Sequence, residues 1–294
     1  MISMSREHVS EHYDRITEVW RKWVMGEDLH FGLFEHATDS LEVASSRLTT
    51  RLAESADLQS GLTVLDVGCG VGTAALRLAE EHGCLVTGIS TSAEGLRIAR
   101  AAAARRGLED RVRFLLADAM DNRLPDGAFD RVFSLESTHL MHDKQALFDE
   151  CHRVLEPGGR LALCDVVVVG RMASDEQRMS GYQMMGHSPT VARRMMEAVD
   201  ATMDYAFGNR DMCHFSVYEA CAQAAGFEDV EVTDVSSSVK RTLEHWCRNA
   251  SDNWDVIAEA VGERYLHDFI MAALHMSFRW GQHGGYVIVT ANRR

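Results

Sequence analysis

The chain has 294 residues, enough for one large α/β domain with elaborations or for two small domains. Its formal charge of −14, with no compensating basic stripe, argues against nucleic acid and anionic membrane as partners. No apolar run approaches the roughly 20 residues of a membrane span, no basic-then-apolar leader opens the chain, and the seven cysteines are scattered without a Cys-x-x-Cys, so a reduced, cytoplasmic protein is expected.

Residues 5–25 read as an amphipathic helix with Val9, Tyr13, Ile16 and Trp20 on one face, and Met25–Phe34 as a loop with buried aromatics. A second helix is expected over Ser40–Glu54. From Gly61 the alternation is regular. Strand Leu62–Val67 leads to a helix stopped by Gly83, and strand Leu85–Ile89 to a helix opened by a capping box, Thr91–Glu94, and stopped by Gly107. Strands Val112–Leu116 and Phe129–Ser134 follow, then a helix over Asp143–Leu155 and strand Leu161–Val168. Five strands alternating with helices predict a mainly parallel, doubly wound sheet. Beyond Val169 the pattern breaks. Residues 171–213 read as helical and hold eight of the fifteen methionines. A capping box at Ser216–Glu219 opens another helix, Val230–Val235 reads as a sixth strand, 238–280 as helical, and Gly284–Thr290 as a last strand. The chain thus divides into an N-terminal cap (1–60), a core (61–170), a lid insertion (171–215) and a completing segment (216–294) with a second insertion at 238–280.

The corner at Val64-Leu-Asp-Val-Gly-Cys-Gly-Val-Gly72 is a strand, a glycine turn and a helix start, which is where doubly wound sheets bind ligands. Gly70-Val-Gly-Thr-Ala-Ala75 fits the dinucleotide fingerprint, but that reading needs an acidic residue about 20 positions on, and Ser90 stands there. Asp66-Val-Gly-Cys-Gly-Val-Gly72, Ala117-Asp-Ala119, Leu135-Glu-Ser-Thr-His139 and Leu155-Glu-Pro-Gly-Gly159 instead follow the order of class I S-adenosylmethionine-dependent methyltransferases. Tyr13-Asp14, Leu29-His-Phe-Gly32 and Thr87-Gly-Ile-Ser90 further resemble the members that tailor antibiotics and other natural products, such as sugar and macrolide O-methyltransferases.

The resemblance implies a Rossmann-like seven-stranded sheet with its last strand reversed, and S-adenosyl-L-methionine as cofactor. It implies that Gly68 and Gly70 let the backbone pass under the methionine moiety, with Asp66 organising the turn or meeting the ammonium. Ser90 would stand in for the family's acidic ribose ligand, Asp118 would accept from the adenine amino group, Ala119 and Met120 would lie along the ring, and Leu135 would offer backbone contact. His139, just past the fourth strand, is the candidate base, with Asp165 orienting its imidazole. Relatives often carry a second histidine after the first, and Leu140 stands there in this chain. Tyr13 either caps the cofactor carboxylate, shares in proton transfer, or packs in its helix. A metal held by Glu136, His139 and Asp165 lacks any ligand spacing of its own, so none is expected. The methionines suit either a lid that moulds to a bulky, partly apolar small molecule or the surface of a homo-oligomer. Trp246, Trp254 and Trp280 suit either the far wall of the pocket or anchors for the insertion. The expected reaction is methyl transfer to a hydroxyl. The alternatives are C- or N-methylation coupled to cyclisation or rearrangement, and a nicotinamide-dependent oxidoreductase.

Overall fold

In the computed structural model, whose description covers residues 16–170, 175–207 and 212–294, the apolar runs assemble into one seven-stranded sheet. The strands are β1 (Thr63–Val67), β2 (Leu85–Ser90), β3 (Val112–Leu116), β4 (Phe129–Leu135), β5 (Leu155–Val168), β6 (Glu228–Asp234) and β7 (Gly284–Asn292), in the order β3-β2-β1-β4-β5-β7-β6. Neighbours among the first five strands are parallel, whereas β7 runs antiparallel to both β5 and β6. The expected α/β sheet with a reversed last strand is therefore found.

Both faces of the sheet are buried, as a parallel sheet requires. Alternate strand residues serve two cores. Val64, Val86, Phe114 and Phe133 face one that includes Leu48 of α2 (Leu41–Ser55), Leu76 of α3 (Thr73–His82) and Leu96 of α4 (Ala93–Arg106). Leu65, Val67, Val132 and Leu163 face another, with Phe148 of α5 (Lys144–Val154) and Tyr218 of α8 (Phe215–Ala224). Leu65 and Val132 have no exposed surface, and burying each such side chain contributes about 1.5–3 kcal/mol. Earlier in the chain, α1 is described over 16–23, where Ile16 and Trp20 are buried; Trp20 lies 4.7 Å from Phe269 and 5.6 Å from Tyr265 of α12 (Glu263–Arg279).

Several boundaries differ from the sequence expectation for local reasons. The cap of α4 is Ser92, not Thr91, because Ser92 Oγ accepts from Gly95 N (2.9 Å) while Glu94 turns outward to pair with Arg97. At α8 His214 Nδ1 accepts from Ser216 N (3.3 Å), so the helix starts at Phe215 rather than Ser216. β5 starts six residues early, at Leu155, and runs through Pro157-Gly-Gly159, where its register against β4 shifts. The 171–213 stretch contains α6 (Asp175–Met184) and α7 (Pro189–Phe207), with Pro189 at the first helical position that suits it. The second insertion holds the short α9 (Ser236–Val239), then α10 (Arg241–Asp252), α11 (Trp254–Val261) and α12. Tyr13, and with it the Tyr13-Asp14 pair, lies outside the described residues.

Candidate active site

The carboxyl-terminal edge of the parallel strands gathers the residues singled out from the sequence, from Asp118 past β3 to Asp165 on β5. Asp66, in register with Gly88 on one side and Phe133 on the other, is 2% exposed. Its Oδ2 is buried without a hydrogen-bond partner, and burial pushes the carboxyl up to about 7. A lone carboxylate in that setting favours a donor supplied from outside the chain. Gly68 has φ +76, and a Cβ there would lie 2.2 Å from Ser137 Cβ, so its glycine is required by the chain's own packing. Gly70, at φ +52, has nothing within 4 Å of where a Cβ would stand, so the backbone there borders open space. Ser90 Oγ accepts from Ser92 N (3.1 Å) and so helps shape the turn into α4. Asp118 Oδ1 accepts from Met120 N (3.0 Å), while Ala119 is buried and Met120 half-buried beside it. Leu135 ends β4, half-buried, opposite Cys164.

Past Leu135 the chain turns sharply at Glu136, which takes the left-handed φ of +51, a conformation that costs a non-glycine residue about 1–3 kcal/mol. The turn brings Ser137 Oγ to donate to Val67 O (2.7 Å), tying it to the glycine loop. It also sets Thr138 and His139 over β5. Asp165, with no exposed surface, accepts four bonds. Its Oδ1 takes His139 Nδ1–H (2.6 Å) and Val166 N–H (2.7 Å), and its Oδ2 takes His139 N–H (2.8 Å) and the Thr138 hydroxyl. Burial alone would raise this carboxyl, but the charge and hydrogen bonds of His139 and the Thr138 hydroxyl outweigh it and hold Asp165 below its ordinary value. Since Thr138 spends its proton on Asp165, Tyr218 OH donates to Thr138 Oγ1 (3.0 Å). A chain of hydrogen bonds therefore runs from α8 to the imidazole. It fixes the tautomer with a proton on Nδ1 and leaves Nε2 unpaired among the described residues. Asp165 lies inside β5, not at its end. It lies one residue past the last parallel pair, and β5 continues against β7 alone.

Glu136 Oε1 accepts from Phe31 N (2.7 Å) and from Tyr286 OH (2.7 Å), and desolvation, only partly offset by these donors, raises the carboxyl to about 8. Phe31 is buried, stacked on Trp280 (5.2 Å, 14°) and edge-on to Trp246 (4.8 Å). These tryptophans thus anchor the second insertion to the cover instead of walling a cavity; Trp280 also donates from Nε1 to Ser236 O (2.7 Å). The methionines divide. Met196 and Met203 of α7 are buried, whereas Met184 is 86% and Met185 74% exposed. Among the described residues no cluster of His, Cys, Asp and Glu, Glu136, His139 and Asp165 included, is arranged to hold a metal.

Thr138, Tyr218, Ser137 and Tyr286 were not singled out from the sequence. Ser137 and Thr138 fall inside the Leu135–His139 motif, so their neighbourhood was visible, but Tyr218 and Tyr286 lie 80 and 150 residues from their partners, and no local pattern points to them.

The sheet order, the glycine corner, Asp66 on β1, Asp118 past β3 and Asp165 on β5 define a class I S-adenosylmethionine-dependent methyltransferase. A family model described as mycolic acid cyclopropane synthetase matches residues 2–283, and the chain belongs to that family. It is similar to methyltransferase GfsG of Streptomyces halstedii, 35% identical over 99% of this chain and 95% of that one. It is also similar to 27-O-demethylrifamycin SV methyltransferase of Amycolatopsis mediterranei, 32% identical over 95% and 93%. Among solved structures, the [4+2]-cyclase SpnF superposes with a TM-score of 0.79 at 29% identity, covering 99% of this chain and 97% of that one. Mycolic acid cyclopropane synthase CmaA1, complexed with S-adenosylhomocysteine and CTAB, gives 0.82 at 19% identity over 99% of each chain. The orphaned Asp66 oxygen and the open space above Gly70 fit the cofactor of this class.

Proposed function

We propose that this enzyme methylates a hydroxyl oxygen of a bulky, partly apolar small-molecule natural product, with His139 as the base. The observation that carries the reading is the imidazole held through Nδ1 by the buried Asp165, with Nε2 unpaired among the described residues at the ligand-binding edge. When bound, S-adenosylmethionine supplies a methyl group on a sulfonium, open to in-line displacement. Asp66, Gly68, Gly70 and Ser90, then Asp118, Ala119, Met120 and Leu135, would hold it along the β3–β2–β1–β4 side. The acceptor would then lie over β4 and β5, where His139 Nε2 takes the hydroxyl proton and Asp165 steadies the imidazolium. Orientation and exclusion of water supply much of the remaining rate. Tyr13 keeps its proposed part in capping the cofactor or sharing the proton. The name of the rifamycin relative, a 27-O-demethylrifamycin SV methyltransferase, supports oxygen as the methylated atom.

The domain division at residues 60, 170 and 215 and an intracellular, cytoplasmic setting belong to this proposal, the latter supported by seven free cysteines. A second reading, cyclisation or rearrangement with or without C- or N-methylation, is favoured by the 29% identity to a [4+2]-cyclase. Mass spectrometry separates the two, because a product heavier by one methyl supports the first and an isomer of the substrate the second. In His139→Ala, O-methylation is expected to fall by roughly 10²–10⁴ in kcat with S-adenosylhomocysteine affinity nearly unchanged. An unaffected rate would sink His139 as base.

A further inference from the structure

The metal reading considered for Glu136 leaves its placement unexplained, because a residue in a left-handed turn with a desolvated carboxyl is an expensive element to keep. Both of its protein donors, Phe31 N–H and Tyr286 OH, converge on Oε1. Its Oε2 has no partner among the described residues, and the residue keeps part of its surface exposed. Sheet order places it on the acceptor's side. The proposed cofactor ligands belong to β3, β2, β1 and the end of β4, while Glu136 follows β4 and is tied to Cys164 of β5 (Glu136 N to Cys164 O, 2.9 Å) and to β7.

We propose that Glu136 contacts the acceptor: its Oε2 hydrogen-bonds a second oxygen, next to the hydroxyl that His139 deprotonates, so that the enzyme selects acceptors carrying such an oxygen pair. This rests on the O-methyl-transfer reading above. The second oxygen is one that accepts, a ketone, lactone or ether oxygen or a hydroxyl lone pair, because Glu136 is a neutral acid near pH 7 and donates. Among the described residues, the ionisable groups facing it are Cys164 and Asp165 from β5 and Tyr286 from β7, with His139 three residues on in its own turn; the N-terminal segment contributes the Phe31 N–H. Burial and the Asp165 charge both favour the protonated form, against the two donors at Oε1. A neutral carboxyl held this way is a donor that water does not readily replace.

The test uses the full chain with S-adenosylmethionine and macrolactones that carry one hydroxyl beside a ketone, each paired with its deoxo counterpart. Wild type and Glu136→Gln, whose amide also donates, are expected to prefer the ketone-bearing member by roughly 10–100-fold in kcat/KM. Glu136→Ala is expected to lose that preference while binding S-adenosylhomocysteine as wild type does. The wild-type preference should fade as pH rises through about 8, and that of Glu136→Gln should not. The proposal is overturned if Glu136→Ala keeps the preference, if wild type keeps it unchanged from about pH 6.5 to 9.5, or if Glu136→Gln loses kcat equally on both members. Should Glu136→Ala fail to fold, the pH comparison of wild type with Glu136→Gln decides. S-adenosylhomocysteine binding without methylation of any member would instead overturn the hydroxyl reading, and this proposal with it.

Discussion

Asp165→Asn tests the site most directly, because each carboxylate oxygen accepts one backbone N–H, Oδ1 from Val166 (2.7 Å) and Oδ2 from His139 (2.8 Å). Whichever way the amide is placed, its NH2 must face a backbone donor that cannot turn away. One buried N–H is then left without an acceptor, at about 1–3 kcal/mol. If the NH2 faces Oδ1's side, it also meets His139 Nδ1, which must give up its proton and accept. The tautomer then reverses, and Nε2 carries the proton it should be taking. The reverse placement keeps the tautomer but sets NH2 against His139 N–H and the Thr138 hydroxyl. Both placements lower the melting temperature, and the first removes the base. Loss of orienting carboxylate in comparable histidine sites costs roughly 10⁴ in kcat, so a fall of roughly 10²–10⁴ is expected. S-adenosylhomocysteine affinity should change little. The measurements are S-adenosylhomocysteine production under single-turnover conditions, calorimetric affinity and thermal melting. A variant keeping more than about a fifth of kcat would refute the proposed coupling of Asp165 to His139.

Asp66→Asn should make the ligand-free protein more stable at pH 8. The folded carboxyl keeps its proton up to about pH 7 while the unfolded one releases it near 3.8, so Asp66 costs stability as pH rises between these values, by at most about 4 kcal/mol. Melting at pH 5 and pH 8 checks this, and weaker binding of S-adenosylhomocysteine should accompany the gain. Gly68→Ala combines φ +76 with a Cβ 2.2 Å from Ser137 Cβ; a loss of about 3 kcal/mol or more in chemical denaturation is expected. Tyr218→Phe removes the donor to Thr138, so about 1 kcal/mol in stability and a few-fold in kcat should go. A pH–rate profile with an unmoved acid limb would show that the tyrosine serves packing alone.

The sheet and the cofactor edge were legible because they depend on local signals: apolar runs of five or six residues, glycines where the chain must turn left-handed, and acids at or near strand ends. Asp66, Asp118 and His139 stand on the edge where those signals put them. The caps at Ser92 and His214 were misplaced because a capping box identifies a helix start only when its glutamate reaches back, and Glu94 pairs with Arg97 instead. Trp246 and Trp280 were ambiguous because a tryptophan at helical spacing carries no information about whether its partner is a ligand or Phe31. The contacts of Tyr218 with Thr138 and of Tyr286 with Glu136 depend on how α8 and β7 dock, which is set by packing of whole elements.

Of the acids on this edge, Asp66, Glu136 and Asp165 are separated by their surroundings. Asp165 has four donors and stays charged, which suits an orienter that must answer an imidazolium. Asp66 has an oxygen with no donor among the described residues, so it remains neutral up to about pH 7 until a ligand offers one. Glu136 lies between these cases, with two donors on one oxygen and none on the other, and desolvation holds it neutral to about pH 8. Donors supplied by the protein thus mark the acid that serves the protein's own base, and missing donors mark those that await a ligand. The stability given up at Asp66 is recovered when a ligand supplies the donor, so cofactor binding should flatten the fall in stability expected of the free enzyme between about pH 4 and 7, whereas an acceptor that takes a hydrogen bond from neutral Glu136 should not.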